Sequence, residues 1–126
     1  RPRLTAVMAK ISQNFSRSEF ACKCGCGFDT VDAETIQVLE RIRTHFAAPV
    51  VVTSGCRCAS YNAQVGGSKK SQHQLGRAAD IQVRGINPSE VQDWLEYNMP
   101  TVSLGRHTNF THVDTRTNGP ARWEGT

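Results

Sequence analysis

No stretch of this 126-residue chain approaches the roughly 18 consecutive apolar residues that a membrane-crossing helix needs, so insertion by a helix is not expected. Arg1-Pro2-Arg3-Leu4 is basic, but no apolar core follows it and no initiator Met precedes it. The expectation is a chain without a visible secretory signal, either processed or trimmed. Charge of one sign is also in short supply: 15 basic residues stand against 11 acidic ones, a formal net charge of +4. No stripe of Lys and Arg interleaved with aromatics is present, which argues against a nucleic-acid partner. The mild positive balance suits anionic polymer surfaces instead. There is no internal repeat and no linker, and the length fits one domain over residues 1–126 with one core.

Cysteine is present but unevenly spread. Five residues fall into two tight groups, Cys22-Lys23-Cys24-Gly25-Cys26 and Cys56-Arg57-Cys58. An odd number leaves at least one thiol unpaired in a monomer. One or two disulfides, or free thiols, are the first reading, with disulfides tying the N-terminal segment to the later loop. A structural zinc on four thiolates is the second, because C-x-C is not the C-x-x-C spacing of zinc ribbons.

The periodic segments give the elements. A short helix is expected before Ser12, and Ser16 and Glu19 stand at capping-box spacing around Phe20. A helix is predicted from Asp32, with Ile36, Leu39, Ile42 and Phe46 as its apolar face and Glu40 and Arg43 turned to water. Pro49 stops it, and Val50-Val51-Val52-Thr53 reads as a buried strand. Residues 61–65 suit a short helix, and Gly66-Gly67-Ser68-Lys69-Lys70 a polar connector. Ile81-Gln82-Val83-Arg84 alternates as a strand. Asn87-Pro88 with Glu90 then opens a second helix that buries Val91, Trp94 and Leu95 and ends at Asn98-Met99-Pro100. Residues 102–104 suit a short strand, Gly105-Arg106 a turn and residues 110–115 the last strand, while Trp123 docks from an otherwise turn-rich tail. Two helices beside three or four strands predict an α+β domain, a small mainly antiparallel sheet with the helices packed on one side.

Within that frame two stretches carry chemistry. His73 and Asp80 stand seven positions apart across the Gly76 turn, and His112 lies on the last strand. Alternation puts Phe110, His112 and Asp114 on one face, and likewise Asp80, Gln82 and Arg84. If the two strands are neighbours, Asp80 and His112 share an ion and His73 folds back over them. Two imidazoles and a carboxylate are a typical catalytic zinc set, with the fourth position left to water.

The run Ser71-x-His73-x-x-Gly76-x-Ala78-x-Asp80, followed by Phe110-x-His112-Val113-Asp114, resembles the zinc D-alanyl-D-alanine carboxypeptidase family. That family includes peptidoglycan-cleaving DD-peptidases and phage endolysins and shares its fold with the Hedgehog signalling domain. The match extends to Asn14-Phe15-Ser16 with Glu19-Phe20, to Val52-Thr53-Ser54-Gly55-x-Arg57 and to Asn62 with Gly66-Gly67, so it covers most of the chain. The resemblance implies a Hedgehog/DD-peptidase type of fold, zinc as cofactor on His73, Asp80 and His112, a peptidoglycan peptide as substrate and Arg57 as a catalytic arginine. It also implies action on the cell wall, in the periplasm or outside the cell, by a monomer. The small size and missing leader favour a phage-encoded enzyme made in a host cytoplasm.

Related DD-peptidases often carry an acidic residue three positions before the last ligand, where this chain has Asn109, which cannot take a proton. Asp114, roughly 7 Å along the strand from His112 at about 3.3 Å per residue, is the first candidate for the general base, and His107 the second. A non-catalytic zinc-containing wall-binding domain of the same fold is the alternative function. A cysteine-zinc nucleic-acid module is a third, more distant one.

Overall fold

A computed structural model describes residues 10–126 of the chain, so the helix expected before Ser12 lies outside the described residues. Five strands form one sheet in the order β1-β2-β4-β3-β5: β1 Val50–Ser54, β2 Ala78–Val83, β3 Ser103–Arg106, β4 Thr111–Asp114 and β5 Arg122–Glu124. All neighbours are antiparallel except β3 and β5. Among the described residues three α-helices accompany them, α1 Ala33–Phe46, α2 Ala59–Gln64 and α3 Pro88–Asn98. The α+β fold expected from the sequence is present, with one strand more than the pattern suggested.

The alternation of β2 sorts the two sheet faces. Ala79, Ile81 and Val83 join Val50, Val52, Leu104 and Val113 in the apolar core, together with Val38, Leu39 and Ile42 of α1 and Val91 and Leu95 of α3. Each of the Val, Leu and Ile side chains among them contributes about 1.5–3 kcal/mol of burial. The opposite face is left to polar groups, and the site forms there. Phe15 and Phe20 close the core from the N-terminal side, where the Ser16 N–H donates to the Glu19 carboxylate at 2.7 Å as the capping spacing predicts.

Several local expectations are corrected. The face of α1 that is buried runs through Thr35, Val38, Leu39 and Ile42, while Ile36 and Phe46 are only half-buried. Glu40 does not simply face water: its carboxylate accepts from the Ser12 hydroxyl, the Asn14 N–H at 2.7 Å and the Asn14 amide at 2.6 Å. It pins the N-terminal segment to the helix. Residues 50–52 form an edge strand, so Val51 is 39% exposed between two buried neighbours. Gly105 and Arg106 belong to β3, because the tail returns as β5 and pairs with them. The two cysteine groups do come together, with the Cys24 and Cys58 sulfurs 3.6 Å apart and no disulfide joining them.

Candidate metal centre

Register builds the polar face. Ser54 is the cross-strand partner of Asp80, Asp80 of His112, His112 of Gly105, and Gly105 of Trp123. These residues make one row across all five strands, and the juxtaposition of Asp80 with His112 follows directly. His73 arrives from outside the sheet on a 3₁₀ turn, Gln72–Leu75, whose start is fixed by Ser71 Oγ accepting from the His73 N–H at 3.1 Å. Gly76 ends that turn at φ 71°, a left-handed conformation that glycine adopts without strain, and a Cβ there would meet the Thr30 carbonyl at 2.7 Å. The tight reversal swings His73 back over Asp80.

The three side chains converge. His73 Nε2 lies 3.3 Å and His112 Nδ1 3.0 Å from Asp80 Oδ1, and all three residues are buried. One ligand atom from each lies within 4.8 Å of the others. The remaining ring nitrogens fix the tautomers. His73 Nδ1 is 2.6 Å from the Gly55 carbonyl, which only accepts, and His112 Nε2 is 2.8 Å from the Asp114 carboxylate. Both nitrogens therefore carry protons, which leaves His73 Nε2 and His112 Nδ1, the nitrogens facing Asp80, as the ones able to offer a lone pair to a metal ion.

Two ring nitrogens and a carboxylate packed this closely in a buried space need positive charge among them, carried by a proton or by a metal ion. Donor atoms around a zinc ion at about 2.0–2.1 Å stand about 3.3 Å apart, close to the spacing found. Each imidazole also gives its other N–H to an oxygen, the anchoring that orients a metal-ligating histidine. The residues fit a zinc ion, with His73 Nε2, Asp80 and His112 Nδ1 as its ligands.

Electrostatics agree. Burial would raise the Asp80 carboxyl, but the close contacts with the His112 and His73 rings outweigh it and hold the group far below the ordinary carboxylate range. Burial would likewise lower His112, yet the Asp114 and Asp80 carboxylates raise it above its usual value. The site favours positive charge at this point. Arg57 supplies some from the side: Nη2 is 3.2 Å from Asp80 Oδ2, Nη1 donates to Asn62 Oδ1 at 3.1 Å and Nε donates to Ser54 Oγ at 3.1 Å. Its backbone N–H donates to the His73 carbonyl at 2.9 Å, which ties the arginine loop to the histidine turn.

A cleft of about 660 Å³ opens over the three ligands, and Arg57, His107, Phe110, Arg116 and Trp123 line it. The polar connector of residues 66–70 forms part of its rim. His107 stacks on Phe110 with ring centroids 4.1 Å apart. Burial lowers its pKa, partly offset by the charge of Asp80. Asp114 stands apart from the cleft. Its side chain is fully buried, bonded to His112 and clamped by Arg116 at 2.7 and 2.9 Å. Burial would raise its carboxyl, but the Arg116 and His112 bonds hold it well below the usual range. Asn109 is also absent from the cleft lining.

Sequence reading passed over three participants. Trp123 packs its ring 4.9 Å from that of His112, Asn62 steadies Arg57, and the Gly55 carbonyl orients His73. The docking tryptophan and the Asn62 match were the only signals, and neither pointed to its contact. A backbone carbonyl leaves no trace in sequence.

No curated protein matches the chain. The family model described as Peptidase M15 matches residues 13–114, a span that holds all three converging ligands and Arg57. M15 peptidases are zinc-dependent, which agrees with the donor set. By its matched span, and with a His-Asp-His cluster fitted to zinc, the chain belongs to the M15 peptidase family.

Proposed function

We propose that the chain is a zinc metallopeptidase that hydrolyses peptidoglycan peptides, at a D-Ala-D-Ala type of bond in a stem or cross-bridge. The observation that carries this reading is the pair of tautomers fixed by Gly55 and Asp114, which leave the two imidazole nitrogens facing Asp80 able to offer lone pairs to a metal ion on the floor of an open cleft. A purely structural ion would be closed in by four protein ligands, whereas here three converge and the cleft meets them.

Zinc, when bound there, supplies a Lewis acid and lowers the pKa of a water to near neutrality. The chain's own residues do the rest. Arg57, held by Asn62 and Ser54, keeps a permanent positive charge beside the reacting carbonyl and stabilises the oxyanion that attack creates. His107, on the cleft wall and neutral near pH 7, accepts the proton of the attacking water and returns it to the leaving amine. Asp114 is assigned a positioning role instead of the base's, because its carboxylate is fully buried, already bonded twice over and strongly disinclined to take a proton. Trp123 and Phe110 offer apolar walls for the peptide.

The place of action is then the cell wall, and the working form a monomer. Purified zinc-loaded chain incubated with isolated cell walls releases new amino termini, and mass spectrometry of the muropeptides identifies the bond. His73→Ala releases none. Walls left intact by the wild-type chain would instead favour the non-catalytic wall-binding alternative.

A further inference from the structure

We propose a second metal site in this chain, a structural zinc ion held by the thiolates of Cys22, Cys24, Cys26 and Cys58. These residues come from two segments more than thirty positions apart, yet one sulfur from each lies within 4.8 Å of all the others. Cys24 Sγ is 3.5 Å from Cys22 Sγ and 3.6 Å from Cys58 Sγ. A disulfide joins sulfurs in pairs at about 2.05 Å. Here Cys24 is shared evenly between two neighbours, which is the geometry of a common centre. Four sulfurs at about 2.3 Å from a tetrahedral zinc stand about 3.8 Å apart, close to these separations. The local backbone also supplies N–H donors that a thiolate charge requires. Cys58 N–H donates to Cys22 Sγ and Tyr61 N–H to Cys58 Sγ, both at 3.4 Å. The Gly25 N–H closes the turn between the first ligands by donating to the Cys22 carbonyl at 3.2 Å.

The odd thiol count is resolved in the same way. Cys56 is the fifth cysteine; it is buried, outside the cluster, and its thiol donates to the Phe28 carbonyl at 2.9 Å. Four thiols form the site and one belongs to the packing. C-x-C spacing serves because the fourth ligand comes from another loop, which a local C-x-x-C knuckle does not need.

The site lies beside the catalytic cleft's scaffolding. Residues 55–58 carry the Gly55 carbonyl that orients His73 and the Arg57 guanidinium that touches Asp80. Tying Cys58 to the 22–26 turn holds that loop, as the Cys56 N–H to Phe20 carbonyl bond of 2.9 Å does from its other side. Binding releases the thiol protons to solvent, so occupancy falls in acid. The residues and the test are independent of the proposed peptidase activity.

The test is metal stoichiometry. Wild-type chain purified under reducing conditions with zinc is expected to hold about two equivalents by elemental analysis. His73→Ala loses one and keeps the other, whereas Cys24→Ser and Cys58→Ser lose the cysteine-bound one. Cobalt replacing zinc gives wild-type and His73→Ala chains a thiolate-to-cobalt charge-transfer band in the near ultraviolet. That spectrum decides the matter even if the cysteine variants fail to fold. A single ion that survives His73→Ala supports the thiolate site and counts against the catalytic one. A single ion lost with His73, no charge-transfer band, or an intact mass lighter by two hydrogens per disulfide would each overturn the proposal.

Discussion

The Nε2–H of His112 donates to the Asp114 carboxylate at 2.8 Å, and Arg116 grips the same carboxylate from the other side at 2.7 Å. A buried, ionised acceptor thus fixes the tautomer that leaves His112 Nδ1 free towards Asp80. Asp114→Asn keeps the shape and removes the charge, so the ring loses its tautomer preference. Zinc affinity at the His73–Asp80–His112 centre is expected to fall by about 10–100-fold, measured by competition with a chromogenic chelator. Unchanged affinity would mean that the pair is packing alone.

His107 provides a pH signature. It accepts a proton only when neutral, and burial places its pKa below the ordinary 6.5. Activity on a peptide substrate is therefore full above that value and declines as pH falls through a pKa below 6.5. His107→Gln lowers kcat by about 10²–10⁴-fold and removes that acid limb. Asp114→Asn leaves the limb in place, which separates the two candidates for the base. A limb that persists in His107→Gln assigns the proton to another group.

Glu40 predicts an acid-sensitive N-terminal clasp. Burial would raise its carboxyl, but bonds from Ser12 and Asn14 pull it below its usual value. A folded-state pKa below the unfolded one contributes stability above about pH 4.3, lost as pH falls through the folded value. Glu40→Gln keeps the size but weakens the charge-assisted bonds, and for a partly exposed group a loss of about 1–2 kcal/mol in denaturant unfolding is expected at pH 7. The gap between variant and wild type should close as pH falls through that folded value. A constant gap across that range would show that the charge is irrelevant.

Much of this was legible beforehand because it depends on period and order. Alternation placed Asp80 and His112 on matching faces, and only the pairing of β2 with β4 had to be added. Glu40 was misjudged for the opposite reason. Its position on the helix wheel is solvent-side, and the segment that covers it is 26 to 28 residues away, out of reach of any local pattern. Asp114 shows a further limit. Strand geometry set it about 7 Å along from His112, but its side chain leans back to 2.8 Å, drawn by a tautomer that sequence does not display. Gly105-Arg106 read as a turn because a strand made by the returning tail is a tertiary event.

That returning tail gives the last prediction. Gly105 lies between His112 on β4 and Trp123 on β5 in the row across the sheet. A Cβ at Gly105 would meet Trp123 ring atoms at 2.6 to 2.9 Å, so the indole rests directly on the glycine backbone. Gly105→Ala must displace that ring, which also sits 4.9 Å from His112 and beneath the Arg116 guanidinium. Overpacking of this kind costs about 1–3 kcal/mol, and the thermal midpoint should drop accordingly. If the clash is the cause, Trp123→Ala relieves it: the double variant should be more stable than the sum of the single effects predicts, by a coupling of about 0.5–3 kcal/mol. Strict additivity would place the glycine's role in the β3 backbone and leave Trp123 without a structural hold on the metal centre.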